Sequence, residues 1–265
     1  MPIVRTNLTF QSALGERRFI VILPDDYDDP PAQASRYPVV YLLHGIGGHE
    51  DEWLVGSRIA AYAAGRSLIL VCADAGQHCY VDSADGSSLC ETMAARDLVA
   101  FMDRSYRTIP HHEARGLMGL SMGGYGALYL SLRHPQTFGA AVSLSGALHI
   151  GQLPLGERRP ELAHVDRLFP ATCSGREQWD LFAQVRISPT IVREGMRWKL
   201  LCGVDDSLIE INRAFHHFLL YHAVPHTYDE YPGAHTWAFW DTHATESLDF
   251  LAAQLEPATS TPARI

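Results

Sequence analysis

A chain of 265 residues, 47% of them hydrophobic, is long enough for one large α/β domain and too apolar to stay disordered. Its 21 basic and 30 acidic side chains leave a net charge of −9, which argues against nucleic acid as a partner and fits a neutral or weakly charged small molecule. No apolar run reaches the length of a bilayer span, and Met1-Pro2-Ile3-Val4-Arg5 is not a charged leader followed by an apolar stretch, so a cytoplasmic protein without a membrane partner is expected.

Residues 3–10 and 17–23 read as an antiparallel strand pair joined at Leu14-Gly15-Glu16, followed by a turn-rich connection from Pro24 to Pro38. Strand and helix signals then alternate. Pro38 to His44 and Leu68 to Ala73 are apolar runs of strand length, and Thr92 to Tyr106 places Leu98, Phe101 and Met102 at helical spacing. Residues 115–120 form the next strand, and a helix follows from Gly123 to Arg133. Ala140 to Ser145, Trp198 to Cys202 and His226 to Glu230 complete eight strands, with a helix from Leu208 to His222 between the last two. Near-continuous apolar strands separated by helices predict a mostly parallel sheet covered on both faces, in a single domain over 1–265. The stretch from about 151 to 195 breaks the rhythm and reads as a cap inserted above the sheet's C-terminal edge; the tail after Leu255 reads as frayed.

Five cysteines are an odd number. Cys72 and Cys202 fall in strand-like runs and read as buried thiols; Cys79 and Cys90 flank a polar loop, so a bridge between them stays open beside the plainer reading of a reduced protein.

The chemistry is carried by Gly119-Leu120-Ser121-Met122-Gly123, a G-x-S-x-G pattern between a strand and a helix. That context is the sharp turn that lifts a nucleophilic serine above an α/β-hydrolase sheet, with small residues where two backbones must come close. A serine hydroxyl needs a histidine base, and the base needs a carboxylate to fix its tautomer. In this fold the chain order is serine, acid, histidine. The strand ending at Cys202 runs into Gly203-Val204-Asp205-Asp206-Ser207, and the last strand is followed by Pro232-Gly233-Ala234-His235-Thr236-Trp237. Ser121, an aspartate of this pair and His235 thus each sit just beyond a strand's C-terminal end. An oxyanion hole would take one backbone N–H from Met122 and one from the glycine loop His44-Gly45-Ile46-Gly47-Gly48, with Ile46 the donor. Trp53, His78, Tyr80, Trp179 and Trp237 are candidate walls of a substrate pocket.

With these segments assembled, the chain resembles the Putative esterase family of the α/β-hydrolases, which includes tributyrin, feruloyl and acetylxylan esterases, S-formylglutathione hydrolases and mycolyltransferases. The likeness lies in Tyr41 to Gly48 with Trp53, Gly119 to Ala127, Cys202 to Asp206, and Gly233 to Trp237 with Trp240, and so spans nearly the whole chain. It implies that the acid is Asp206, three residues after the glycine, and that the oxyanion donors fall on Ile46 and Met122. It implies an eight-stranded α/β-hydrolase fold, no cofactor, and a serine carboxylesterase acting on small short-acyl or carbohydrate-linked esters. Feruloyl or acetylxylan esterase, S-formylglutathione hydrolase and acyltransferase are the alternatives, with Gly45-Ile46-Gly47-Gly48 lacking the G-L-T-C-type loop expected of the glutathione thioesterases. A metal hydrolase is disfavoured: His111-His112 and His216-His217 are adjacent doublets, and no H-E-x-x-H occurs. A dinucleotide fingerprint lacks its last glycine, and a non-catalytic binding protein would have no need of all three triad positions. The oligomeric state is not set by the sequence, and a homo-oligomer stays open.

Overall fold

The computed structural model of the protein describes residues 1–10, 12, 16–29, 35–152, 165, 167–169, 176–188, 195 and 197–255. Its sheet has eight strands: β1 (Ile3–Thr9), β2 (Glu16–Ile22), β3 (Val39–Leu43), β4 (Ile69–Ala73), β5 (Arg115–Leu120), β6 (Ala140–Leu144), β7 (Arg197–Gly203) and β8 (His226–Tyr231). They lie in the order β1-β2-β4-β3-β5-β6-β7-β8. β2 runs antiparallel to both its neighbours, and every pairing from β4 to β8 is parallel.

The strands read as unbroken apolar runs because both faces are covered. Alternate residues go to opposite sides: Val39, Tyr41 and Leu43 of β3 join one core cluster, and Val40 and Leu42 the other. The first cluster is closed by α4 (Leu98–Ser105), α5 (Met122–Arg133) and α7 (Ile209–Tyr221), through Leu98, Met102, Tyr125, Leu128, Phe215 and Leu219. The second is closed by α1 (Glu52–Gly56), α2 (Ile59–Ala63) and α8 (Trp237–Gln254), through Trp53, Ile59, Trp240, Leu248 and Leu251. α3 (Cys90–Thr92) precedes α4, and α6 (Leu181–Ile187) precedes β7.

This order positions the site. From β3 the chain goes to β4 on one side and then to β5 on the other, so the connections leaving the C-terminal ends of β3 and β5 diverge and open a crevice between them. The glycine loop follows β3 and Ser121 follows β5.

Several boundaries differ from expectation. The helix expected from Thr92 begins at Cys90 and contains a π-helical turn, Met93–Asp97, before α4. The 18-residue α8 replaces what the sequence shows only as a Trp-rich segment. The open question of a bridge between Cys79 and Cys90 resolves to the reduced form: both are buried thiols. The Cys90 thiol is pushed up to about 12 by burial, which leaves it unreactive. The hairpin turn at Leu14-Gly15, most of the cap over 151–195 and the tail after Leu255 lie outside the described residues. No described helix is long and apolar enough to cross a membrane.

Candidate active site

Ser121 occupies the single-residue corner between β5 and α5, with φ 54° and ψ −117°, a conformation that L-residues rarely adopt. The corner is tight enough to exclude side chains beside it. A Cβ on Gly119 would lie 2.1 Å from the carbonyl oxygen of Gly123, and one on Gly123 would lie 2.3 Å from that of Leu43. The Ser121 N–H donates to Leu144 O at 2.9 Å and its C=O accepts from Tyr125 and Ala147, so the strained residue is held from both sides.

β7 leads into the turn that carries Asp205 and Asp206. Asp206 closes a turn on Gly203 O at 3.1 Å and its side chain accepts from the Leu208 N–H at 2.8 Å. Asp206 is buried and Asp205 exposed, so only the former faces the site. The Asp205 N–H instead donates to Gly233 O at 2.9 Å, tying the acid loop to the histidine loop after β8. His235 stands between acid and serine: Nδ1 is 2.9 and 3.0 Å from the two carboxylate oxygens of Asp206, and Nε2 is 2.9 Å from Ser121 Oγ. With Nδ1–H donating to a carboxylate, Nε2 is the acceptor for the serine hydroxyl. Burial raises the Asp206 carboxyl, but bonds from His235, Ser145 and the Leu208 N–H outweigh it and hold the group below its ordinary value, ionised.

Two residues the sequence left without a role complete this cluster. Ser145, just past β6 with φ 50°, accepts from Trp240 Nε1 at 3.2 Å, and its hydroxyl is one of the groups that hold the Asp206 carboxyl low. The Trp240 ring meets His235 edge-on, with centroids 4.9 Å apart and planes at 88°. No local pattern marks Ser145; its left-handed backbone is visible only in the fold.

The glycine loop is a turn closed by Gly48 N–H to Gly45 O at 3.2 Å, with φ 81° at Gly47 and Ile46 at the corner. His44 fixes it from beneath. Its Nε2 accepts from the Ala75 N–H at 3.0 Å, so its Nδ1 carries the proton and donates to Gly45 O at 2.7 Å. Burial lowers the His44 pKa and keeps the ring neutral. Among the described residues no acceptor takes the Ile46 or Met122 N–H.

A cleft of about 170 Å3 opens at this point, lined by Gly45, Ile46, Gly48, Glu52, Leu120, Ser121, His235, Trp237 and Trp240. Of the five expected walls, only Trp237 lines it. Trp53 is buried, donating from Nε1 to Leu43 O at 3.2 Å and backing Trp237 edge-on. Tyr80 is buried against Gly126, its hydroxyl donating to His44 O at 3.2 Å. Trp179 is buried against Phe169 and bonds Asp82 O. His78, half-buried beside Gly76, lies off the cleft lining. None of these four rings is among the lining residues of the described cleft. Among the described residues no group of three or more His, Cys, Asp or Glu side chains is arranged to hold a metal ion.

Comparison with known proteins gives a consistent picture. A relative named as an acetyl esterase, from Caldicellulosiruptor saccharolyticus, is 26% identical over 95% of this chain and 98% of its own length. A Mycobacterium tuberculosis protein named as an esterase is 30% identical over 90% of this chain, which spans 56% of that longer protein. Among solved structures, a Staphylococcus aureus S-formylglutathione hydrolase superposes with a TM-score of 0.81 at 20% identity, covering 95% of this chain and 98% of that one. A ferulic acid esterase does so with a TM-score of 0.78 at 24% identity, covering 96% and 98%. At these identities the structures show the shared α/β-hydrolase fold. The profile described as Putative esterase matches residues 11–251, and the chain belongs to that family of ester-hydrolysing enzymes.

Proposed function

We propose that the protein is a serine carboxylesterase that cleaves esters of short acyl groups through a covalent acyl-enzyme, with Ser121 as nucleophile, His235 as base and Asp206 as the residue that orients it. The observation that carries this reading is His235, with Nε2 at 2.9 Å from Ser121 Oγ and Nδ1 at 2.9 Å from Asp206. Ser121 Oγ attacks the ester carbonyl while His235 Nε2 takes its proton, and Asp206 stabilises the resulting imidazolium. The Ile46 and Met122 N–H groups are the proposed donors to the oxyanion; Met122 opens α5, whose N-terminal end favours negative charge. Collapse of the intermediate breaks the bond to the alcohol oxygen, which takes the proton from His235. Water then repeats the cycle on the acyl-enzyme and restores Ser121.

The cleft volume supports a short acyl group. A cavity of about 150 Å3 accommodates a benzene-sized guest, and the 170 Å3 here is of that order. The relative named as an acetyl esterase supports acetyl esters as the first substrates to try.

The test pairs hydrolysis of 4-nitrophenyl acetate with labelling by a fluorophosphonate. The wild type should hydrolyse the ester and gain the phosphonyl mass on Ser121. Ser121→Ala should lose labelling and about 10⁴-fold or more of kcat. Hydrolysis that survives Ser121→Ala unchanged would remove the reading.

A further inference from the structure

The cleft beside Ser121 has one feature that ester chemistry does not require. Among its described lining residues Glu52 is the only carboxylate, and none is Lys or Arg. The other members are Gly45, Ile46, Gly48, Leu120, Ser121, His235, Trp237 and Trp240. The neighbouring acidic residues are engaged elsewhere: Glu50 pairs with Arg18 Nε at 3.2 Å, and Asp51 with His49 Nδ1 at 2.5 Å. The only ion-pair partner of Glu52 among the described residues is the far nitrogen of the same His49, at 4.0 Å. The side chain is 29% exposed and so stays in reach of a ligand. Gly48 leaves it room, since a Cβ there would lie 2.8 Å from Glu52 Cγ. A negative charge whose only described ion-pair partner is an imidazole at 4.0 Å therefore lines the cleft together with the indoles of Trp237 and Trp240.

Resting on the esterase reading above, we propose that Glu52 is a charge selector: it disfavours esters that carry a carboxylate near the scissile bond and favours neutral or cationic ones. A carboxylate-bearing substrate meets like-charge repulsion and finds no guanidinium or ammonium among the described lining residues. An ammonium group gains the Glu52 charge and the Trp237 and Trp240 rings. A hydroxyl-rich alcohol can donate to the carboxylate without penalty. Glutathione thioesters, which carry two carboxylates and one ammonium, fall on the disfavoured side.

The experiment compares matched ester pairs on the full chain and on Glu52→Gln, which keeps the shape and removes the charge. On the acyl side the pair is 4-nitrophenyl hemisuccinate against 4-nitrophenyl butyrate. On the alcohol side it is acetylcholine against the isosteric neutral ester 3,3-dimethylbutyl acetate. In Glu52→Gln the anion-to-neutral ratio of kcat/KM should rise, or the cation-to-neutral ratio fall, by about three- to tenfold, the size of one partly screened charge interaction. In the wild type alone, 1 M KCl should shift the ratios the same way, because it shortens the screening length to about 3 Å. Movement of either ratio in the stated direction supports the inference. Neutral esters hydrolysed normally with both ratios unchanged, or moved the opposite way, overturn it and leave the esterase reading standing. Failure of the wild type to hydrolyse any ester overturns both.

Discussion

The Nδ1–H of His44 donates to the carbonyl of Gly45, its own neighbour in the chain, at 2.7 Å. The C=O of Gly45 and the N–H of Ile46 belong to one trans peptide, so they point in opposite directions. A buried imidazole that holds the carbonyl toward the core thereby turns the Ile46 N–H toward the cleft that Ile46 lines. In the proposed mechanism, His44 would thus act on the oxyanion through the peptide it grips.

His44→Ala should lower kcat about 10²-fold with little change in KM, the loss expected when one oxyanion donor is misdirected. It should also cost about 1–3 kcal/mol of stability, because the buried Ala75 N–H loses its acceptor. His44→Asn, which can still donate to the Gly45 carbonyl, should recover part of kcat. Steady-state kinetics with urea titrations check both effects. A stability loss with kcat intact would show that His44 only supports packing.

Ser145 offers a second separable case, because its backbone strain and its hydroxyl can be removed independently. Ser145→Ala removes the hydroxyl that helps hold the Asp206 carboxyl low but keeps a side chain at φ 50°; Ser145→Gly removes the hydroxyl and relieves the strain. Both should reduce kcat several-fold. In both, the acidic limb of the kcat/KM profile should move to higher pH, since a carboxylate freed from a competing donor attracts the imidazolium more strongly. The glycine variant should be the more stable of the two by about 1 kcal/mol. pH–rate profiles and thermal melts of the pair are the measurement, and profiles that superpose on the wild type would remove Ser145 from the site.

The turn at Ser121 depends on backbone contact, so its glycines should respond unequally to an added methyl. On Gly123 the Cβ would fall 2.3 Å from Leu43 O, a strand carbonyl that cannot swing aside. Gly123→Ala should cost about 3 kcal/mol or more and abolish activity. On Gly47 the Cβ meets nothing within 4 Å, and only the left-handed φ of 81° opposes it. Gly47→Ala should therefore cost about 1–2 kcal/mol and remain folded. Circular dichroism melts of the two variants decide the point; equal costs would contradict it.

The parts of this structure legible in the sequence are those where one local pattern has one physical cause. Val39 to Leu43 reads as a strand because burial on both faces leaves no charged position to blur the run, and Ala140 to Leu144 does so with only the small, buried Ser143 interrupting it. That Ser121, Asp206 and His235 come within hydrogen-bonding distance of one another was legible because each follows a strand's C-terminal end in the expected order, although choosing Asp206 over Asp205 needed the family resemblance. The pocket was not readable. Trp53, Tyr80 and Trp179 have the same composition as wall residues, and only packing decides that they face inward while Trp240 borders the cleft. Ser145 lies at the end of an ordinary apolar strand, and Glu52 on a helix of five residues, too short to show a period. The helix α8 begins Trp-Ala-Phe-Trp-Asp-Thr-His, whose aromatic and β-branched residues are weak helix formers, so tertiary contact rather than propensity fixes it.

Away from the active site, Glu91 should make stability depend on acid pH. It is buried beneath α5, accepting from Tyr129 Oη at 2.7 Å, from His134 Nε2 at 2.9 Å and from Arg133 Nε at 3.3 Å. Burial raises its pKa, but the bonds from His134, Tyr129 and Arg133 outweigh it and hold the carboxyl below its ordinary value. A carboxyl depressed in the folded state contributes stability that is fully present above its unfolded value of about 4.3 and is lost as pH falls through the lower folded value. Glu91→Gln cannot titrate. It should cost about 2 kcal/mol at pH 7, where three donors lose a charged acceptor, and the gap to the wild type should narrow as pH falls from about 5 toward 3. Urea unfolding midpoints of both proteins across that range test the sign. A gap that stays constant down to pH 3 would place the effect of Glu91 in packing rather than in its charge.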